Sequence, residues 1–385
     1  MQTLAEGLEN AGHRAVVVST SPQKGVSTGT IAGVKVYYVG LKNLYWPFKD
    51  KKNRAVFKPL AHAIDTFNPW MAREVERILE LERPDLVHTN GLSGFSVSSW
   101  QSVKRRRLPL VHTLHDHYLL CPRSTMFHRG KNCERRCVEC VPYASPREHY
   151  SNRVDAVVGV SRFILERHLR YGYFGRVSTK RVIPNPYQAE SPARKPYGVH
   201  SLPIRFGYLG QLNTNKGIEL LLDNISRLRE GTWRLSVAGR GLNAYESYLR
   251  EGYANPAIRF LGYTRPAAFF SGTDVLVVPS LLRESFGRVI ILAYAYGVPV
   301  IGSNRGGVPE LIEEGRTGFL FDPDLPEELV ERAERFIDRP STIDEMRDAC
   351  LTKAAGFLPR SVTETYLDLY AEVVEAIRGA CALRG

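Results

Sequence analysis

The sequence predicts two α/β domains, each built on a parallel sheet covered by helices, with a cleft between them. Short apolar segments alternate with amphipathic helical segments along most of the 385 residues. Residues 184–203 interrupt this alternation, and their five prolines indicate a linker. At roughly 150 residues per domain, the length is sufficient for two to three domains, each with its own core.

The first half begins with an amphipathic segment, Met1–Gly12, which places Leu4 and Leu8 on one helical face. Further helices are predicted at Pro69–Leu81 and from Phe95 onward. The apolar runs predict strands at Arg14–Ser19, Val34–Val39, Asp85–Thr89, Leu110–Leu114 and Ala156–Val160. A doubly wound domain normally opens with a strand and a glycine-bearing turn. We therefore expect that the first strand of this domain is missing, or that the true start of the chain lies upstream.

The second half repeats the pattern. Its predicted strands are Ile204–Leu209, Arg234–Ala238, Ile258–Leu261, Val275–Pro279 and Val298–Ile301. Its predicted helices lie at about 216–229, 242–251, 266–271, 285–296, 308–313 and 361–379. The expected organisation is an N-terminal domain over 1–183, the linker, a C-terminal domain over 204–360, and a last helix in 361–385 that packs on the N-terminal domain.

Composition excludes several classes of protein. Hydrophobic residues make up 43% and charged residues 24%, which argues against disorder. No apolar run reaches the roughly 18 residues of a transmembrane helix, and the start does not resemble a signal peptide. Six cysteines are too few for a disulfide scaffold, which favours a reduced, cytoplasmic protein.

The net positive charge of the chain is confined to its first half. Residues 1–190 hold 29 Lys/Arg against 16 Asp/Glu, whereas residues 191–385 hold 23 against 24. The basic segments Leu41–Pro59, which also contains aromatic residues, and Lys104–Arg107 account for much of the excess. Such segments suit an anionic membrane surface, a lipid diphosphate or single-stranded nucleic acid, or they form a solvated face.

Two glycine-containing turns in the second half suit a phosphate. Phe206–Gly217 follows a strand and precedes a helix, and its Lys216 lies where helix N–H groups favour anions. In Glu284–Val289, Gly287 allows close backbone approach, and Glu284 is placed to accept hydrogen bonds from sugar hydroxyls. Gly239–Ala244 matches the relaxed dinucleotide fingerprint, but no acid follows between residues 252 and 273, so NAD binding is disfavoured.

These segments together resemble the family 4 retaining glycosyltransferases, which have two Rossmann-like domains facing each other across a cleft (GT-B). The matching order is the Gly-x-Leu-x-x-x-Lys-Gly run ending at Gly217, then Glu284-Ser-Phe-Gly, Gly297-Val-Pro-Val, Gly306-Gly-x-Pro-Glu and Gly318-Phe-Leu-Phe-Asp-Pro. The resemblance covers nearly the whole chain. It implies transfer of a sugar from a UDP-, GDP- or ADP-linked donor to a glycan or lipid-linked acceptor, in the synthesis of a bacterial surface polysaccharide or glycolipid.

The resemblance also implies roles for individual residues. Lys216 binds the donor diphosphate, Glu284 meets the donor sugar, and His115 faces that sugar from the first domain. The remaining donor-binding positions are Gln211, Gly262, Tyr263, Ser285, Phe286, Gly287, Arg288 and Val289. Gly262 and Tyr263 lie where the family places the base. No metal is implied for catalysis, because cations and helix termini neutralise the diphosphate.

The sequence departs from the family pattern at two donor positions. The second glutamate of the family's Glu–x7–Glu pair, which holds the ribose, is replaced by Leu292. The family's diphosphate-binding arginine is replaced by Gln211, for which Arg240, Arg288 or Arg305 are candidate substitutes. Two alternatives therefore stay open: a catalytically impaired or truncated nucleotide-sugar-binding protein, and a basic nucleic-acid-binding protein, although no nucleic-acid module is recognised.

Four cysteines are grouped within a polar, basic segment: Cys121, Cys133, Cys137 and Cys140. Four thiolates suit tetrahedral zinc, and a long segment with little core gains stability from such a site. His128 is a further candidate ligand. Reduced thiols, or two disulfides formed outside the cytoplasm, are the alternatives.

Overall fold

A computed structural model describes residues 1–44, 46, 57–187 and 201–382, with backbone alone for 380–382. The chain divides into two compact units. Unit 1 contains Met1–Met126, Cys133–Pro186 and Pro359–Gly385, and unit 2 contains Phe127–Asn132 and Tyr187–Leu358. Most of the predicted linker, and most of the basic segment Leu41–Pro59, lies outside the described residues.

Unit 1 has two main sheets. The first has the order β1-β3-β2, in which β3 pairs parallel with β1 and antiparallel with β2. The second is parallel, with the order β4-β5-β8-β9. These strands are β1 Val16–Ser21, β2 Val26–Ile31, β3 Val34–Gly40, β4 Val87–Thr89, β5 Leu110–Leu114, β8 Ala156–Gly159 and β9 Thr179–Val182. β1 and β4 are thus edge strands within the described residues.

The helices of unit 1 cover these sheets. They are α1 Gln2–Asn10, α2 Lys58–Thr66, α3 Pro69–Glu82, α4 Ser98–Arg105, α5 Val141–Ser151, α6 Arg162–Arg170 and α13 Pro359–Ala382. One buried cluster joins both chain ends to the second sheet: Leu4 from α1 and Tyr366 from α13 pack with Val111 and Val158. The C-terminal helix is therefore part of the unit 1 core.

Unit 2 is organised around one six-stranded parallel sheet with the order β12-β11-β10-β13-β14-β15. The strands are β10 Ile204–Leu209, β11 Trp233–Ala238, β12 Ile258–Gly262, β13 Val275–Val278, β14 Val300–Ser303 and β15 Gly318–Phe321. A two-stranded hairpin, β6 Phe127–His128 and β7 Lys131–Asn132, also belongs to this unit. In its own numbering the sheet order is 3-2-1-4-5-6, that of a doubly wound nucleotide-binding fold.

The helices of unit 2 are α7 Ile218–Ile225, α8 Asn243–Gly252, α9 Pro266–Ser271, α10 Arg288–Ala295, α11 Glu327–Asp338 and α12 Thr342–Ala355. The core lies between the sheet and the helices α7 and α11, where Phe206, Leu221 and Phe336 are buried. None of the helices in the described ranges is long and apolar enough to cross a membrane.

Two predicted helices are wrong in detail. The segment 308–313 forms a single 3-10 turn at Val308–Glu310. The helix expected from residue 285 begins at Arg288, because Gly287 adopts φ 109° and ends the irregular loop there. Ser285 and Phe286 therefore lie in the loop that precedes α10.

Candidate functional site

The site in unit 2 lies at the point where the winding of the sheet reverses. β10 is the first strand of the six-stranded sheet along the chain, and it pairs with β11 on one side and β13 on the other. In doubly wound sheets, ligands bind outside the carboxyl ends of the strands at such a switch point. Lys216 follows β10, and Glu284 follows β13. The topology thus brings the two residues that the sequence singles out to the same edge of the sheet.

The loops after β10 and β13 are in direct contact. The backbone N–H groups of Leu281 and Leu282 donate to the carbonyl of Asn215, at 3.1 and 2.9 Å. Gly217 has φ 71°, and a Cβ at this position would lie 1.9 Å from the carbonyl oxygen of Pro279. Only glycine fits there, so the Lys-Gly pair of the motif allows the two loops to approach each other.

Lys216 and Glu284 form an ion pair at this contact. The Nζ of Lys216 lies 2.9 Å from Oε1 of Glu284, and the hydroxyl of Ser280 donates to the same oxygen. The Lys216 side chain is 28% exposed and that of Glu284 is 17% exposed. Solvent therefore reaches both side chains, while most of the surface of each is covered by protein. A cation and a carboxylate fixed side by side suit a ligand that is anionic at one end and carries hydroxyl groups at the other.

A third loop, after β14, supports Glu284 from its backbone. Gly307 N donates to the carbonyl of Glu284 at 2.7 Å. Gly306 has φ 65°, and a Cβ would lie 2.3 Å from that carbonyl oxygen. The conformations of the Glu284 and Gly306-Gly307 motifs are therefore interdependent.

The start of α10 faces the same edge of the sheet. Gly287 is its N-cap, and Arg288 is exposed in the first turn. The first N–H groups of a helix have no intrahelical partner and carry partial positive charge, which suits phosphate. Phe286 is buried, with its ring centroid 6.0 Å from that of Phe357, so it anchors the loop. Val289 is half-buried in the same turn.

The two departures from the family pattern have different surroundings. Gln211 is exposed, and its backbone carbonyl accepts a hydrogen bond from the Tyr208 hydroxyl at 2.8 Å. Leu292 is half-buried within α10. Of the candidate substitute cations, Arg305 donates to Leu281 O at 3.1 Å and pairs with Asp324, whereas Arg240 is exposed. Arg305 is thus held against the loop that precedes Glu284.

The predicted base-contacting residues lie at the end of the edge strand β12. Gly262 has φ 68°, and its carbonyl accepts from Gly239 N at 2.8 Å. Tyr263 follows it and is 76% exposed. An exposed aromatic ring at the carboxyl edge of the sheet is available to stack on a planar base.

Asn132 is a contact of this site that the sequence does not indicate. Its side-chain amide donates to Leu281 O at 2.7 Å and accepts from Arg283 N at 3.0 Å. The β6–β7 hairpin thereby holds the backbone of the loop that precedes Glu284. Nothing in the pattern around Asn132 signals this, because the loop it contacts lies about 150 residues further along the chain.

In unit 1, His115 follows β5, and Asn90 follows the neighbouring strand β4. The Nε2 of His115 lies 2.9 Å from Oδ1 of Asn90. The structure shows the Asp116 carboxylate accepting a hydrogen bond from Tyr118 N at 2.7 Å, and places Asn90 against the imidazole. Both His115 and Asn90 line a cavity of about 40 Å³.

Two further histidines lie close to this cavity: His112 is buried and lines it, and the half-buried His88 contacts the lining residue Thr113. Burial, followed by the charge of His115, lowers the pKa of His88 to about 3. Its ring contacts the hydroxyls of Tyr370 at 2.6 Å and Thr113 at 2.7 Å. Burial likewise lowers the pKa of His112. Both imidazoles are therefore neutral at physiological pH.

The four cysteines, hereafter the cysteine cluster, all lie in unit 1, and the sulfurs of three of them are in contact. The sulfur of Cys140 lies 3.0 Å from that of Cys137 and 3.8 Å from that of Cys121. Burial and the charges of Cys121 and Cys137 raise the pKa of Cys133. In the described part of the chain, no group of three or more His, Cys, Asp and Glu side chains is already arranged as a metal site.

Two family models match the chain. Residues 1–186 match a "Glycosyl transferase 4-like domain", and residues 203–339 match "Glycosyl transferases group 1". The chain belongs to the family 4 glycosyltransferases. This glycosyltransferase is 29% identical over 311 residues to an "Uncharacterized 42.6 kDa protein in cps region" of Klebsiella pneumoniae, covering 81% of the chain and 82% of that protein.

Solved structures confirm the predicted two-domain GT-B fold. Sucrose-phosphate synthase from Thermosynechococcus elongatus aligns with a TM-score of 0.76 and 20% identity, over 97% of this chain and 92% of that one. Anabaena HepE in complex with UDP and glucose aligns with a TM-score of 0.70 and 19% identity, over 96% and 95%. The predicted roles of individual site residues stay predictions.

Proposed function

We propose that this glycosyltransferase moves a sugar from a nucleoside diphosphate donor to a glycan or lipid-linked acceptor, with retention of the anomeric configuration and without a catalytic metal. The observation that carries the proposal is the Lys216–Glu284 pair at the switch point of unit 2. Lysine there suits the diphosphate, and the carboxylate suits the hydroxyls of the sugar. The relative in a cps region and the UDP complexes of HepE support a uridine-linked donor and a polysaccharide pathway.

The donor half accounts for neutralisation of the leaving group. Lys216 exchanges its partner Glu284 for the diphosphate, and the N–H groups at the start of α10 donate to the phosphate oxygens. Glu284, still held by Ser280, then accepts hydrogen bonds from the sugar. Preorganised donors of this kind stabilise the charge that develops on the leaving group. We propose that His115, in unit 1, contacts the transferred sugar, the role that the family resemblance implies.

The first experiment is calorimetric titration of the full chain with UDP, GDP, ADP and NAD. We expect selective binding of one nucleoside diphosphate, with UDP the first candidate, and no binding of NAD. Glu284→Ala should bind the same nucleotide but lose turnover, because its carboxylate contacts the sugar and not the diphosphate. Glu331→Ala, at an exposed position in α11, is the matched control. Absence of binding to all four nucleotides would overturn the proposal.

Retention is tested on the product, and metal independence is tested by turnover in the presence of a chelator. The anomeric coupling in the product's proton spectrum should match that of the donor sugar, and turnover should survive a chelator. Hydrolysis of the donor without transfer would instead support the alternative of a sugar-nucleotide-binding protein without transferase activity.

Peripheral contact with the cytoplasmic face of a membrane is also part of the proposal. In the described basic segment, Lys104 pairs with Asp155 and Arg106 with Glu80, whereas Arg105 and Arg107 are exposed. Anionic vesicles should therefore bind the chain in a salt-sensitive way. The double variant R105Q/R107Q should bind more weakly, and equal binding to neutral vesicles would contradict this part. The same variant also tests the nucleic-acid alternative. In that alternative the wild-type chain binds oligonucleotides of any sequence, and R105Q/R107Q binds them more weakly.

A further inference from the structure

We propose that the cysteine cluster binds one Zn²⁺ through its four sulfurs, as a structural site separate from sugar transfer. The members are Cys121, Cys133, Cys137 and Cys140. Four cysteine ligands leave no open position on the metal, which is the pattern of a structural site and not of a catalytic one.

The sulfur positions carry the inference. In a tetrahedral site with Zn–S bonds of about 2.3 Å, neighbouring sulfurs lie about 3.8 Å apart. The separation between Cys121 and Cys140 is 3.8 Å. That between Cys137 and Cys140 is 3.0 Å, so these two sulfurs have to move apart when the metal binds. The proposed site therefore requires the thiols to change position, since as they stand they form no ready metal site in the described part of the chain.

The backbone of the cluster is already fixed by hydrogen bonds. Cys121 N donates to His117 O at 2.8 Å, and Cys140 N donates to Cys137 O at 2.8 Å. Cys133 N donates to Met126 O at 2.7 Å. Cys140 is also the N-cap residue of α5. The metal would therefore bind to a preformed backbone, at low cost in conformational entropy.

Two arginines are placed to offset the charge of the site. Four thiolates and one Zn²⁺ carry a net charge of −2, and the four thiol protons go to solvent. Arg167 donates to the carbonyl of Cys133 at 2.5 Å. Arg123 lies two residues after Cys121 and pairs with Glu139, the neighbour of Cys140, at 3.2 Å. These contacts keep two guanidinium groups beside the cluster.

The segment that carries the cysteine cluster has little regular structure, and a bound metal would stabilise it. Between β5 and α5 the chain runs for 26 residues with two strands of two residues each as its regular structure. A segment of this length with so little secondary structure gains stability when a metal joins its two ends. Cys121 lies near the start of the segment, and Cys140 at its end.

The experiment uses the full chain, purified without a metal-binding tag. We expect one zinc per chain by elemental analysis. At least five fewer thiols should react with Ellman's reagent in the native state than after chelation and unfolding: the four of the cysteine cluster and the buried Cys350. Exchange of zinc for Co²⁺ should give the visible and thiolate charge-transfer absorption of a tetrahedral sulfur site. Chelation should lower the midpoint of thermal unfolding.

Variants separate the site from other cysteines. Cys137→Ser should lose the zinc and the cobalt spectrum, whereas Cys350→Ala, at a buried cysteine of unit 2, should keep both. If Cys137→Ser fails to fold, the cobalt spectrum of the wild-type chain still shows whether the metal has four sulfur ligands. A metal-free chain whose four thiols all react, or one whose mass is lowered by disulfide formation, overturns the proposal.

Discussion

The two units differ in how their sheets are joined. In unit 2, β10 is the first strand of the six-stranded sheet along the chain, and it lies at the centre and links the two halves of that sheet. In unit 1 the strands lie in two sheets, and β1 and β4 are edges within the described residues. The comparison shows that unit 2 has one sheet with a central switch point, where three consecutive loops support Glu284.

The two units also differ in what their sites are made of. The donor side is built from backbone: glycines with positive φ let loops touch, and Lys216 and Glu284 are held at the contact. The side that holds His115 is built from buried side chains, and all ten histidines of the protein lie at or before residue 200. This contrast leads to four predictions.

Acid should destabilise unit 1 before unit 2. The pKa of His88 is lowered to about 3 and that of His168 to about 4, in both cases first by burial, whereas unfolded histidine titrates near 6.5. Below that pH the unfolded state binds more protons, so the stability present above pH 6.5 is lost as pH falls toward the folded values. With His112, whose pKa is also lowered, the cost by pH 5.5 is about 1 kcal/mol for each ring.

Hydrogen exchange resolved by peptide, with rates corrected for their intrinsic pH dependence, measures this loss. Peptides from β4, β5 and α6 should lose protection between pH 7 and 5.5. Peptides from residues 204–358 contain no histidine and form the internal control. Equal loss of hydrogen-exchange protection in both units would contradict this prediction.

Lys216→Ala should lower turnover roughly a hundredfold, the scale of removing one group that stabilises charge in a transition state. It also removes the partner of Glu284, so both ends of the donor site are affected. Steady-state kinetics with the nucleotide identified by titration gives the measurement. Lys24→Ala, at an exposed position of unit 1, is the control. Wild-type turnover in Lys216→Ala would remove the phosphate assignment.

Asn90→Ala should lower kcat roughly tenfold, near the upper end of what one hydrogen bond contributes. Asn90 is a positioning residue, because it acts through the His115 ring 2.9 Å away. Its loss should also move the pH–rate profile, whereas Asn90→Asp keeps the acceptor and should restore part of the rate. A uniform loss at every pH, with no rescue by Asn90→Asp, would indicate that Asn90 supports the fold alone.

The elements that the sequence predicts best are buried strands. Ile204–Leu209 and Leu110–Leu114 have the predicted bounds, because an uninterrupted apolar run between turns has few alternatives. β2, Val26–Ile31, was not predicted, since it is polar and exposed and is defined by its pairing with β3. The roles of Asn90 and Asn132 were not predicted from the sequence, for a related reason. Their roles depend on partners brought close by the fold, which local spacing does not encode.

Leu292→Glu tests whether the donor half of this glycosyltransferase has lost a ribose contact. The family resemblance places a glutamate there, and Leu292 is half-buried in α10, two residues after the buried Ile290. If the rest of the site is intact, a carboxylate at this position should tighten nucleoside diphosphate binding roughly threefold, the lower end of one hydrogen bond. Leu292→Met, which keeps an apolar side chain, is the control, and titration calorimetry compares the three proteins. The 2′-deoxy nucleotide should show no such gain, because the added carboxylate would lack its hydroxyl partner. Weaker binding by Leu292→Glu with unchanged folding would mean that the leucine itself shapes the nucleotide site, and that this chain holds its donor differently from the family pattern.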